Sequence, residues 1–80
     1  MLSRRVLIIE DDADAAGVLE AYLRRENYDV AVTMDGLSGL DMAPRWKPAL
    51  ILLDVMLPGL NGTEVLASLR RKSAVPVSMV

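Results

Sequence analysis

The sequence has no cysteine, no histidine and no phenylalanine, and only three aromatic side chains, Tyr22, Tyr28 and Trp46. Without cysteine there is no disulfide, and without cysteine or histidine the usual zinc sites are excluded. Oxygen ligands are then the metal chemistry the chain can offer, which points to magnesium or calcium. No apolar run approaches the roughly 20 residues of a membrane-spanning helix. The start, Met1-Leu2-Ser3-Arg4-Arg5, carries two cations, but the apolar run Val6 to Ile9 is too short for a secretory signal and acids follow at once. We therefore expect no membrane contact and a cytoplasmic protein. Nine basic and eleven acidic residues leave a net charge of −2, which gives no general attraction to nucleic acid.

What is present is the composition of a folded chain, with 52% apolar and 25% charged residues. Eighty residues make one domain at most, with a small core. Val6-Leu7-Ile8-Ile9 and Ala49-Leu50-Ile51-Leu52-Leu53 are short runs, apolar on both faces, each ended by an acid. Such runs suit strands of a parallel sheet covered on both sides. Tyr28 to Val32 reads as a further strand, and Pro76 to Val80 as a fourth with its proline at the start. Ala15, Val18, Leu19, Tyr22 and Leu23 recur at helical spacing, with Asp12 or Asp14 as cap and Asn27 as a left-handed stop. Leu37, Leu40 and Ala43 suggest a second helix from Asp35 to about Arg45, which Pro44 should kink or end. Asn61 with Glu64 three residues on resembles a capping box opening a third helix, its Val65, Leu66 and Leu69 facing inward. Arg70-Arg71-Lys72 complements that helix's C-terminal dipole, and Trp46 is expected half-buried in a connecting loop.

The order β-α-β-α-β-α-β with right-handed crossovers gives an α/β fold, a doubly wound parallel sheet. Ligands of such sheets sit beyond the carboxyl ends of the strands at a topological switch point. Both acid clusters fall there: Glu10-Asp11-Asp12 after the first strand and Asp54 after the third. Crowded carboxylates raise one another's pKa unless a cation relieves them, and Mg²⁺ favours carboxylate and phosphate oxygens. The cluster therefore reads as a divalent-metal site. Asp12 and Asp14 are more simply helix caps, and Glu10 with Asp11, taken alone, fit capping or solvation as well as a metal.

The segment Asp54-Val55-Met56-Leu57-Pro58-Gly59-Leu60-Asn61-Gly62 resembles the phosphoacceptor loop of response-regulator receiver domains of two-component systems, Asp-x-x-x-Pro-Gly-x-Asp/Asn-Gly. The Glu10-Asp11 pair and the 43 positions separating Asp11 from Asp54 resemble that family too. The resemblance implies a flavodoxin-like fold and a phosphoprotein that accepts a phosphoryl group on Asp54 from a sensor histidine kinase. It implies no further catalytic residue and no enzyme beyond this self-catalysed transfer. It also implies Mg²⁺ held by Asp11, by Glu10 mostly through water, by Asp54 and by the backbone carbonyl of Met56. From Asp54 to Val80 the chain looks most like receivers of winged-helix transcriptional regulators, so DNA would be reached only through a fused output domain.

Family members have strand order 2-1-3-4-5. Residues 1–80 would thus be the N-terminal portion of a receiver, without the last strand, two helices, and the sensing Ser or Thr and Lys of the family. Self-association of such a chain is expected. Two alternatives compete. A haloacid-dehalogenase-type phosphatase wants Asp-x-Asp after its first strand, and Asp12-Ala13-Asp14 has the letters but lies past the strand end. A receiver-derived interaction module would have the fold and no phosphorylation.

Overall fold

A computed structural model describes residues 3–80. The elements are β1 (Arg5–Ile9), α1 (Ala13–Arg25), β2 (Asp29–Thr33), α2 (Gly36–Trp46), β3 (Leu50–Leu53), α3 (Gly62–Arg70) and β4 (Val77–Met79). The strands form one sheet in the order β2-β1-β3-β4, and every paired neighbour is parallel. That is the expected doubly wound arrangement as far as the fourth strand.

Alternation along β1 explains why that run is apolar throughout. Leu7 and Ile9 enter a core with Ile51, Leu53, Val65 and Leu69 beneath α2 and α3. Ile8 points the other way and packs with Ala16 and Val30 under α1. A central strand with helices on both faces has no polar side to spare. Three residues of β1, Leu7, Ile8 and Ile9, are wholly shielded from solvent.

The helix caps come from short polar side chains, as local chemistry dictates. Asp12 Oδ1 accepts from the N–H of Asp14 at 2.9 Å, so Asp12 and not Asp14 is the cap of α1. Asp35 Oδ1 accepts from Ser38 N–H at 2.8 Å and Asn61 Oδ1 from Glu64 N–H at 3.0 Å. Asn27 takes the left-handed conformation (φ 68°) expected after α1.

Three expectations need correction. Pro44 does not itself end α2, which runs on to Trp46, one residue past the expected bound. Pro44 lies in the last turn, where its missing N–H deprives only the Leu40 carbonyl, and Lys47 closes the helix in a left-handed conformation with its N–H on the Ala43 carbonyl. Trp46 is therefore the last helical residue rather than a loop residue, half-buried as expected, with the Arg5 guanidinium 5.6 Å from its ring. Val18, Tyr22 and Leu37 belong to the apolar spacings of α1 and α2 but lie outside, 71%, 59% and 70% exposed. The faces that meet the sheet are Ala16, Leu19 and Leu23 on α1, and Gly39, Leu40 and Ala43 on α2. Small residues bring α2 so close to β1 that a side chain on Gly39 would overlap Ile9.

Candidate functional site

Register decides which acids meet. Ile9 of β1 is paired with Leu53 of β3, so the next residue on each strand, Glu10 and Asp54, emerges side by side at the carboxyl edge of the sheet. The ladder continues past the strand ends: Asp54 N–H donates to the Ile9 carbonyl and Glu10 N–H to the Thr33 carbonyl, both at 3.0 Å. Asp11 follows Glu10. Carboxylate oxygens of Glu10, Asp11 and Asp54 all lie within 4.8 Å of one another. Of the acids singled out by sequence, Asp12 and Asp14 do not join them, Asp12 being occupied in capping α1.

The two strand-end acids are made unequal by their surroundings. Glu10 is the buried member, and burial, then a hydrogen bond shared with Asp54, pushes its carboxyl above the usual range. Asp54 moves down, first because Met56 N–H donates to its Oδ1 at 3.0 Å and next because of the Glu10 hydrogen bond. With no cation between them, a proton taken up by this pair goes to Glu10 before Asp54. Mutual repulsion alone, the argument from sequence, does not give this asymmetry. It comes from Met56 N–H on one side and the depth of Glu10 on the other.

The loop after Asp54 is shaped by a few fixed points. Leu57 is buried in the main core and anchors the middle of the loop, while Met56 is 80% exposed. Gly59 takes a positive φ of 73°, where a side chain would be strained. Gly62 N–H donates to the Val55 carbonyl at 2.9 Å and closes the loop onto the base of α3. A Cβ on Gly62 would stand 2.5 Å from the Asp54 carbonyl oxygen and 2.7 Å from Val55 Cα. Gly62 was legible in the motif as a letter and Leu57 only as an unspecified position, and their tasks of close approach and anchorage were legible in neither.

The three-carboxylate arrangement suits a small hard cation. Ligand oxygens of one Mg²⁺ octahedron stand about 3 to 4 Å apart, so a slight inward rotation of these carboxylates is enough. Binding of a divalent ion there would compete with protonation of Glu10, whose carboxyl is shifted up.

Comparison with known proteins agrees with this geometry. Residues 6–80 match the family described as response regulator receiver domain. The chain belongs to that family. It is 43% identical over 79 residues to the DNA-binding response regulator MtrA of Mycobacterium tuberculosis, covering 99% of this chain and 35% of MtrA. The receiver thus spans about a third of that relative's length. Among solved structures it resembles the BeF3-activated N-terminal receiver domain of Klebsiella pneumoniae RstA, with a TM-score of 0.90 and 33% identity over 94% of this chain and 64% of that one. It also resembles the receiver domain of the sensor histidine kinase PA1611 of Pseudomonas aeruginosa PAO1, with a TM-score of 0.91 and 30% identity over 98% and 66% of the two chains. That structure has a magnesium ion coordinated in its active-site cleft. The phosphatase alternative falls away, since its Asp12 is a helix cap and the Asp54 loop is a receiver loop.

Proposed function

We propose that Asp54 is the phosphoacceptor of this receiver, taking the phosphoryl group of a phosphohistidine on a cytoplasmic sensor kinase. The observation that supports it most is the Glu10, Asp11 and Asp54 trio, with Asp54 the member kept anionic by Met56 N–H. An Asp54 carboxylate oxygen would attack phosphorus as the phosphorus–nitrogen bond breaks in a phosphohistidine whose other ring nitrogen carries a proton, giving an acyl phosphate and a neutral imidazole. Alignment and charge neutralisation are most of what such a transfer requires from the protein. Glu10, Asp11, Asp54 and the Met56 backbone carbonyl would hold Mg²⁺, which when bound supplies positive charge against the phosphoryl oxygens. No other side chain of the chain is assigned a chemical role. Incubation with acetyl phosphate and Mg²⁺, followed by mass spectrometry, tests the reading, and a folded chain that never gains a phosphoryl group would favour a pure interaction module.

We further propose that residues 1–80 are the N-terminal portion of a receiver serving a fused DNA-binding domain, as the partial coverage of MtrA and of the solved receivers supports. No helix among the described residues is long and apolar enough to cross a membrane.

The metal assignment carries a pH dependence. Glu10 has a raised pKa in the metal-free fold, so its protonation stabilises the fold below its unfolded pKa, and that contribution is lost as pH rises through the folded value. Asp54 has the opposite sign: its contribution is present above its unfolded pKa and lost as pH falls through the lowered one. Mg²⁺ competes with protons for these carboxylates, Glu10 above all, so the rise in Tm it causes should be larger near about pH 8 than near about pH 5. Asp11→Ala should weaken Mg²⁺ binding by at least about tenfold, ~1.4 kcal/mol, by calorimetric titration. Equal affinity in that variant would remove Asp11 from the ligand set. Trp46 is a poor reporter for such titrations, because it lies at the opposite end of the sheet.

A polypeptide of these 80 residues alone should also self-associate. Among the described residues β4 has β3 on one side and no strand on the other, so in this polypeptide a row of N–H and C=O groups beside Val77 and Met79 has no strand partner. Pairing β4 with its copy would satisfy that row. Sedimentation at several concentrations should show the average mass rising with concentration, and a concentration-independent monomer would rule the pairing out.

A further inference from the structure

The chain segregates its charge along the strand axis. All nine of its cations lie at the amino end of the sheet: Arg4 and Arg5 at the start of β1, Arg24 and Arg25 ending α1, Arg45 and Lys47 ending α2, and Arg70, Arg71 and Lys72 ending α3. Helices that return antiparallel to the strands deliver their C-terminal cations to that end. The acids of the candidate phosphorylation site lie at the other.

At the basic end a cavity of about 500 Å³ opens between α2 and α3. Its floor is apolar, with Leu40, Leu69 and Val75, and its rim carries Lys47, Arg71 and Lys72. No acidic side chain lines it. Arg71 is laid along the rim by a hydrogen bond to Ser68 Oγ at 3.0 Å. Lys47 and Lys72 have no hydrogen-bond or ion-pair partner for their side chains among the described residues. The last carbonyls of both helices are already served, Ala43 by Lys47 N–H and Leu69 by the N–H groups of Lys72 and Ser73. The ammonium groups are therefore free for something else. Helix dipoles explain why cations stand at these ends, but not why three of them ring an apolar hollow of ligand size.

We infer that the α2–α3 cavity is a binding site for a small organic anion, an apolar body ending in a carboxylate or phosphate. The body would fill the hollow over Leu40, Leu69 and Val75, and the anionic head would meet Lys47, Arg71 and Lys72. The net positive charge of that end adds to the attraction, although Glu26 and Asp29 lie there too and Arg24 and Arg45 are paired with Glu20 and Asp41. A small molecule fits better than a polymer, because the hollow is a concavity between two helices and the size falls in the range of about 300 to 1,000 Å³ typical of ligand sites. None of the lining residues belongs to β4 or to the three carboxylates.

The test is a titration of the full, isotopically labelled chain with 4-phenylbutyrate, followed through backbone amide shifts. The matched controls are 4-phenylbutanol, which lacks the charge, and acetate, which lacks the body. Saturable shifts centred on Leu40, Leu69 and Val75 are expected, with both controls at least about tenfold weaker. The double variant Lys47→Glu with Lys72→Glu should lose about tenfold or more in affinity. Ser68→Trp, which fills the hollow from a half-buried position of α3 that lines it, should abolish binding while the spectrum stays dispersed. Absence of saturation, shifts lying elsewhere, equal binding of 4-phenylbutanol or acetate, or an undiminished affinity in the charge-reversed variant would each overturn the inference. So would an undispersed spectrum of the parent chain, since the cavity exists only in the folded state.

Discussion

Asp54→Asn should abolish acyl phosphate formation completely, with no phosphorylated species detectable by mass spectrometry after incubation with acetyl phosphate and Mg²⁺. The amide keeps the shape of the side chain and can still accept from Met56 N–H, but it is neutral and cannot attack phosphorus as a carboxylate does. The neighbours cannot take over. Glu10 is buried at the strand end, and Asp12 is turned away into the cap of α1. Asp12→Ala should therefore lose helix stability, about 1 kcal/mol as for other caps, and still be phosphorylated. A phosphoryl group located on Asp12 or Asp14 in the parent chain would sink the assignment. Loss of labelling in Asp54→Asn with unchanged Mg²⁺ affinity would leave Asp54 as acceptor and remove it from the metal ligands.

Gly62→Ala should destabilise the chain by about 3 kcal/mol, near the top of what a single added methyl group costs in a packed interior. The new Cβ would meet backbone on every near side, the Asp54 carbonyl at 2.5 Å and Val55 Cα and carbonyl at 2.7 and 3.0 Å, and none of these can rotate aside. Relief requires α3 to move off the end of β3, which would also break the Gly62 N–H bond to Val55 and disturb the backbone that carries Asp54. In a chain this short the loss is a large share of a total of roughly 5 to 15 kcal/mol, and Tm should fall by more than about 10 °C. Gly17→Ala is the control of opposite sign. Gly17 is exposed in the middle of α1 with nothing near its missing Cβ, so the substitution should stabilise by up to about 1 kcal/mol. Thermal unfolding followed by circular dichroism separates the two. A Gly62→Ala chain that melts with the parent would show that the loop yields more easily than its contacts imply.

Much of this was legible in the residues. Runs apolar on both faces, Val6 to Ile9 and Leu50 to Leu53, suited covered strands, and caps are local devices that act within three or four residues, so Asn61 was legible, Asp35 as the start of α2, and Asp12 as one of two choices with Asp14. Asn27 and the Asp54–Gly62 loop are of the same kind. What misled was periodicity on the surface: Val18, Tyr22 and Leu37 share the helical spacing of true core residues and lie in solvent. An apolar stripe wider than the contact it serves leaves its margin outside, and spacing alone does not mark the margin. Pro44 misled for a different reason, since the cost of a proline depends on how many helical bonds follow it.

The sequence by itself determined the parallel α/β architecture, the family and the identity of the acids, because strand burial, capping and the phosphoacceptor loop are written in contiguous residues. Tertiary structure decided how those acids differ. The pairing of Ile9 with Leu53 sets Glu10 beside Asp54 across 44 positions of chain, and burial of one with Met56 N–H on the other parts their proton affinities. The same holds at the far end, where cations distant in sequence gather because every helix returns antiparallel to its strand, and a hollow between α2 and α3 exists only once both are packed on the sheet.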